Sequence, residues 1–319
     1  MAEVVEGPEI APRDRAASWP RLRLGSAPDS WGVWFATDSR QTPWSRFLDE
    51  LAEAGYHWLE LGPYGYLPTD PTQLCDEIGG RGLELSGGTV AGALHRSGDW
   101  TGDLEAARRV AALVHAAGAR YLVYLPEMYR DSSGRFNGPT ELSSEEWRRL
   151  VTRLDELGRI VRDELGVSLV VHPHADSHVA SPEQVERLLA DTTADAVSLC
   201  LDTGHISYCG GDNLDLIERF GERIGYVHLK QVDPVLLARV QSERLSFTDA
   251  VRLGVMCEPP RGVPAMEPLV DALGSLDADL FAIVEQDLYP CDPDVPLPIA
   301  RRTRRYLGYC GLGAGGHGP

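Results

Sequence analysis

The stretch Val197–Lys230, VSLCLDTGHISYCGGDNLDLIERFGERIGYVHLK, contains two short apolar runs, Val197–Leu201 and Tyr226–Leu229. Ionisable side chains gather at their ends: Asp202 and His205 follow the first, and His228 and Lys230 close the second. Six more runs rich in Val, Leu and Tyr flank this stretch: Leu22–Gly25, Trp58–Leu61, Leu83–Ser86, Tyr121–Leu125, Ser168–Val171 and Leu280–Val284. Continuous apolar runs mark strands covered by helices on the outside of a sheet. Between the runs, apolar residues recur at i, i+3, i+4 spacing, as in Trp44–Ala54 and Trp147–Leu165. Ser143 with Glu146, and Ser181 ahead of Pro182, read as helix starts, and Gly55 and Gly118 as helix ends. Eight β–α alternations predict one closed α/β barrel, a single (β/α)8 TIM barrel. An open doubly wound sheet fits less well, because the first strand runs into Ser26-Ala27-Pro28-Asp29-Ser30-Trp31-Gly32, with no GxGxxG turn. The barrel is expected over residues 21–309, with a disordered N-terminal tail over 1–20 and a flexible C-terminal tail over 310–319. The stretch 231–268 is long for a βα loop and is expected to form an active-site lid or an oligomer contact.

Composition narrows the classes of function. Among 319 residues, 48 are acidic and 30 basic, a formal charge of −18. That balance disfavours nucleic acid and anionic membrane surfaces, both of which are bound through Lys and Arg. No apolar run approaches the roughly 20 residues that span a bilayer, and the acidic, proline-bearing first 20 residues lack the apolar core of a signal peptide. The six cysteines are scattered without CxxC pairs. Reduced thiols in a cytoplasmic protein are therefore expected.

In a parallel barrel the chemistry sits at the C-terminal ends of the strands. The fifth run leads into His172-Pro173-His174, the sixth into Asp202-Thr203-Gly204-His205, the seventh holds His228 and Lys230, and the eighth ends in Glu285-Gln286-Asp287. Four successive buried strands thus end in His, Asp, His and Glu, a mixed nitrogen and oxygen set suited to Mn, Fe, Co, Mg or Zn. His172, Asp202, His228 and Glu285 are the expected ligands of a divalent metal ion, with His174 open as the alternative on the fifth strand. Lys230, two residues beyond His228, should face the same pocket and hold an oxyanion or transfer a proton. Other strand ends supply Asp29, Trp31, Glu60, His95 and Glu127. Trp31, Trp34, Tyr64 and Tyr66 offer flat faces for a sugar or cyclitol ring. Glu127 joins the acid/base candidates; Asp29, Trp31, Glu60, His95 and Arg261 (in the long seventh loop) join the substrate-binding ones.

At these residues the chain resembles the xylose-isomerase-like TIM-barrel superfamily of sugar isomerases and epimerases. Within it, the chain is most similar to the inosose dehydratase and inosose isomerase branch. The strings Ala27-Pro28-Asp29-Ser30-Trp31-Gly32, Glu60-Leu61-Gly62, His172-Pro173-His174, Leu201-Asp202-Thr203-Gly204-His205, Val227-His228-Leu229-Lys230 and Val284-Glu285-Gln286 carry the likeness. The resemblance implies one divalent metal, Mn²⁺ first with Co²⁺, Mg²⁺, Fe²⁺ or Zn²⁺ open, and a small-molecule keto-sugar or cyclitol substrate. It is also compatible with a homo-oligomer. It implies a lyase or isomerase working through an enediolate, with His174 or Glu285 as base and His174, His205 or Lys230 as acid. The superfamily's epimerases carry a glutamate on the fifth strand where this chain has His172. That departure favours dehydration over isomerisation or epimerisation. β-Elimination from a 3-keto-glycoside and a non-catalytic sugar-binding barrel are the remaining alternatives.

Overall fold

A computed structural model describes residues 19–313. Eight parallel strands close into one barrel: β1 (Leu22–Ser26), β2 (Trp58–Glu60), β3 (Glu84–Gly92), β4 (Tyr121–Pro126), β5 (Ser168–Val171), β6 (Val197–Asp202), β7 (Ile224–Leu229) and β10 (Leu280–Val284). Each strand pairs with its sequence neighbour, and β1 closes the ring on β10, with Ser26 opposite Val284. The exception to the simple repeat lies between β7 and β10. There, β8 (Gln231–Val232) and β9 (Met256–Cys257) form an antiparallel ribbon around the helices Pro234–Glu243 and Phe247–Leu253. This is the long loop expected to be a lid or an oligomer contact. Its core of Val232, Val240, Phe247, Ala250 and Val255 packs on Ala175 beyond β5, and Phe247 and Thr248 reach the wall of the cavity at the C-terminal end of the barrel.

Side chains alternate along each strand, which splits the apolar core in two. One set meets the surrounding helices. The other fills the barrel: Val123, Val170, Cys200, Tyr226, Phe281 and Ile283, with Trp58 and Tyr121 against them. The aromatic members lie edge to face, with Trp58 and Phe281 centroids 4.9 Å apart, and the Arg23 guanidinium sits 5.4 Å from the Phe281 ring. The lower barrel is therefore filled by side chains, and the ionisable cluster described below lies at its upper end.

Local signals set the helix limits. Ser143 accepts from the Glu146 amide while the Glu146 carboxylate accepts from the Ser143 amide, and this reciprocal cap opens the helix Ser144–Leu165. Ser181 and Gln184 cap Pro182–Asp191 in the same way. β3 runs six residues past the expected Leu83–Ser86. Two glycines interrupt its apolar pattern, and a Cβ on Gly88 would press on Val110 and Val114 of the covering helix Thr101–Ala116. At the C-terminus, Cys310 and Leu312 are buried in the packed body, so the tail expected from residue 310 does not include them. The rest of that tail, 314–319, and residues 1–18 of the N-terminal one lie outside the described residues. None of the six cysteines is in a disulfide. No helix among the described residues is long and apolar enough to cross a membrane.

Gly158, in the middle of Ser144–Leu165, lets that helix lie directly on the chain entering β6. A Cβ there would fall 2.0 Å from the Ala196 carbonyl oxygen, an immovable backbone atom. Gly158→Ala should lower stability by about 2 kcal/mol despite alanine's better helix propensity, read as a lower urea midpoint.

Candidate active site

The site is built from the ends of β5, β6, β7 and β10, with Glu60 reaching it from the end of β2. β6 delivers Asp202, fully buried, whose Oδ1 accepts from the His205 amide at 2.7 Å and so caps the short helix Thr203–Tyr208. Its Oδ2 lies 3.2 Å from His172 Nε2, 3.7 Å from His228 Nδ1 and 3.3 Å from Lys230 Nζ. His228, on β7, is held from both sides. Nε2 lies 2.9 Å from Glu60 Oε2 at the end of β2, and Nδ1 lies 3.1 Å from Glu285 Oε2 beyond β10. Thr89 donates to the other Glu60 oxygen, fixing that carboxylate in turn.

One ligand atom from each of His172, Asp202, His228 and Glu285 lies within 4.8 Å of the others. Two imidazoles and two carboxylates form a donor set that fits a divalent cation. One buried nitrogen is placed as such a cation would need: His228 Nδ1 faces Asp202 and Glu285 and has no hydrogen-bond partner. With Nε2–H donated to Glu60, the neutral His228 ring presents the Nδ1 lone pair as a metal ligand.

Around this cluster the charges are unevenly shared. Lys230 Nζ lies 2.9 Å from both Glu285 Oε2 and Asp287 Oδ2, and 3.9 Å from Asp29 Oδ2. Burial works against the ammonium, but Asp202, Asp287 and Glu285 outweigh it and hold the Lys230 pKa above its ordinary value. Burial would raise Glu285; His228 and Lys230 override it and hold the carboxyl low. Asp29 goes the other way, pushed well above the carboxylate range by burial and then by Glu285. His174 falls to about 3, through burial first and then the nearby His172 and Lys230. His205 is lowered as well, by burial and by His174. These two rings lie 4.0 Å apart; His174 Nδ1–H donates to the Ala175 carbonyl, and His205 Nδ1 accepts from the Ala175 amide.

Above the cluster opens a cavity of about 490 Å³ lined by Asp29, Glu60, His172, His174, His228, Lys230 and Glu285. Its upper wall is apolar, with Val33, Trp34, Phe35, Tyr64, Met128 and Phe247. Of the four rings expected at the mouth, Trp34 and Tyr64 are there. Tyr66 is buried, donating to the Thr42 carbonyl. Trp31 is fully buried in the core, edge-on to Phe47, with its indole N–H donated to Glu50. Four further expectations are corrected. Glu127 forms a two-point pair with Arg96 and does not line the cavity. His95 packs on His178 next to that pair. Arg261 is exposed in the insertion, away from the cavity wall. His205 stands behind His174, out of the lining.

Sequence reasoning missed Asp287 as a charge partner of Lys230, and Phe247 and Thr248 in the cavity wall. Asp287 was legible, two residues past Glu285 on the same strand extension. Phe247 was not, because it reaches the site from the insertion. A wider surface hollow between residues 36 and 73 offers Asp38 as its ionisable lining residue, and that carboxylate is engaged by Arg40 and Tyr289.

The model of a family described as the xylose isomerase-like TIM barrel matches residues 48–303. An inosose dehydratase of Geobacillus kaustophilus (strain HTA426) is 31% identical over 301 residues, covering 90% of this chain and 94% of the relative. An inosose dehydratase of Clostridium botulinum (strain Alaska E43 / Type E3) is 27% identical over 299 residues, covering 90% and 96%. Among solved structures, the IOLI protein with a binding zinc atom superposes with a TM-score of 0.68 at 16% identity, covering 91% of this chain and 98% of the other. A D-psicose 3-epimerase superposes at 0.69 and 12%, covering 92% and 100%. At these identities the superpositions speak for the fold.

The buried position of Trp31 gives it a structural role that substitution separates from binding. Trp31→Phe removes a hydrogen bond from the buried Glu50 and should cost about 1–3 kcal/mol of stability in chemical denaturation.

Proposed function

The chain belongs to the xylose isomerase-like TIM barrel family, and from that membership we propose a divalent-metal-dependent dehydratase acting on a keto-cyclitol or keto-sugar of the inosose type. The observation that carries this reading is the four-donor cluster of His172, Asp202, His228 and Glu285, set between a neutral imidazole and a held ammonium. Those four residues would hold the metal; the family likeness puts Mn²⁺ first, and the mixed donor set leaves Co²⁺, Mg²⁺, Fe²⁺ or Zn²⁺ open. When bound, it supplies Lewis-acid polarisation of a carbonyl and the hydroxyl next to it.

The chain's own residues do the rest. His174 commits Nδ1–H to the Ala175 carbonyl, which leaves Nε2 as the acceptor for the proton on the carbon beside the carbonyl. Lys230 places its ammonium near the negative charge that develops on oxygen. Asp29, which keeps its proton more readily than an ordinary carboxyl, hands it to the β-hydroxyl as the C–O bond breaks, so that one water leaves. The apolar upper wall excludes bulk water, and Trp34 and Tyr64 offer their faces to the ring of the substrate. Dehydration is preferred to epimerisation because the end of β5 carries His172, so the cluster holds one glutamate and not two.

The test is Mn²⁺-loaded protein with an inosose in D₂O, followed by mass and proton spectra. Loss of one water with deuterium uptake is expected. Interconversion of two ketoses without water loss would make the enzyme an isomerase, and no turnover of inososes or ketohexoses would overturn the proposal. His174→Gln should slow deuterium uptake by about 10²- to 10⁴-fold, the range of general base catalysis. His228→Gln should abolish metal content. Glu60→Gln, with every ligand left in place, should weaken Mn²⁺ affinity by about 10- to 100-fold in a metal titration, as expected for a partner that orients a ligand.

A further inference from the structure

Asp176 lies four residues past His172, in the loop after β5, and nothing in the chemistry above uses it. Its backbone is unusual: φ is +60°, and Arg244 is the only other described residue besides glycines with positive φ. Aspartate tolerates that region better than most residues, but such backbone survives where surrounding contacts enforce it, commonly at functional sites.

The contacts that enforce it run to two other loops. The Asp176 carbonyl accepts from the Tyr129 amide at 2.7 Å, where the chain leaving β4 bridges to Ser177. Its Oδ2 accepts from the Phe247 amide at 2.8 Å and lies 3.7 Å from Arg130 Nε. Three separate segments thus meet on one residue: the loop after β4, the loop after β5 and the insertion between β7 and β10. Phe247 carries the connection inward. Its ring stands 4.8 Å from His174, edge to face, and 4.9 Å from His205. The amide that Asp176 accepts from is the first of the helix Phe247–Leu253, one of the donors that a helix leaves unsatisfied.

We propose that Asp176 is a positioning residue: by holding the Phe247 amide it pins the Phe247 ring against His174 and His205, and so fixes the direction of the His174 imidazole. The kinetic side of this inference rests on His174 acting as the base; the structural side does not. Displacing a reacting group by about 1 Å costs roughly 10²-fold in rate, so a carboxylate that never touches substrate acts strongly through the ring it places.

Three substitutions separate the acceptor from the backbone. Asp176→Asn keeps an acceptor oxygen and tolerates positive φ. Asp176→Gly relieves φ but removes the acceptor, and Asp176→Ala loses both. Histidine-ring ¹H–¹⁵N spectra of the protein without added metal, with thermal melts to confirm folding, give a readout independent of turnover. Asp176→Asn should keep the His174 Nδ1–H resonance and nearly the full kcat on an inosose. Asp176→Gly and Asp176→Ala should both broaden or shift that resonance and lower kcat by about 10- to 100-fold, with KM within about threefold. Phe247→Leu should reproduce the loss. An Asp176→Gly protein that matches the wild type in the ring spectra would overturn the inference, as would an unshifted resonance in Asp176→Ala. If the wild type turns over no inosose, the function proposed above fails, and the spectra alone decide the role of Asp176.

Discussion

The upper half of this barrel is organised around the carboxylate of Asp202. It is wholly buried, and a charge in that position is tolerable only when every side of it is compensated. One oxygen is satisfied by the amide that starts a helix, which ties the end of β6 to the turn that follows. The other sits among His172, His228 and Lys230. The arrangement of β5 and β7 relative to β6 is therefore constrained by electrostatics as well as by their strand hydrogen bonds. Lys230 dominates the charges that keep Asp202 ionised against the cost of burial.

From that centre the polarity of the site spreads unevenly, and the unevenness defines its chemistry. Carboxylates collect on the side of β10 and β1, where Glu285, Asp287 and Asp29 face a single ammonium. Imidazoles collect on the side of β5 and β6, where burial leaves His174 and His205 uncharged. A ring lying across the cavity floor has a proton acceptor at one edge and acidic groups at the other. Under the proposed dehydration, that separation would assign removal of the proton and protonation of the departing hydroxyl to different groups.

How much of this could be read beforehand depended on where each residue lies along its strand. His172, Asp202, His228 and Glu285 stood out because ionisable groups interrupt apolar runs at equivalent places, and strand periodicity carries that directly into space. Lys230 followed from the same two-residue step. Periodicity stops in the loops, and there the reading failed. Residues 28–31 wind into a tight turn that points Trp31 into the core while Trp34, three residues on, reaches the cavity. Glu127 found Arg96 on a neighbouring loop, a pairing that no local spacing announces. Glu60 is at the site as expected, but its partner is His228, three strands away around the barrel. The insertion hid its contribution for a different reason: Phe247 belongs to a seven-residue helix whose own sequence carries no strand-end signal.

The aromatic packing of Trp58, Tyr121, Tyr226 and Phe281 has a further consequence for traffic. With the lower barrel filled, there is no passage through the floor, and whatever enters the cavity from the C-terminal end of the barrel leaves from that end. In the proposed reaction, reactant, organic product and liberated water would share that end, and an organic product still seated would block the next reactant. Under the proposed chemistry, inhibition by that product is competitive by construction, and the pace at which the mouth empties sets an upper bound on the cycle whatever the speed of the proton transfers within.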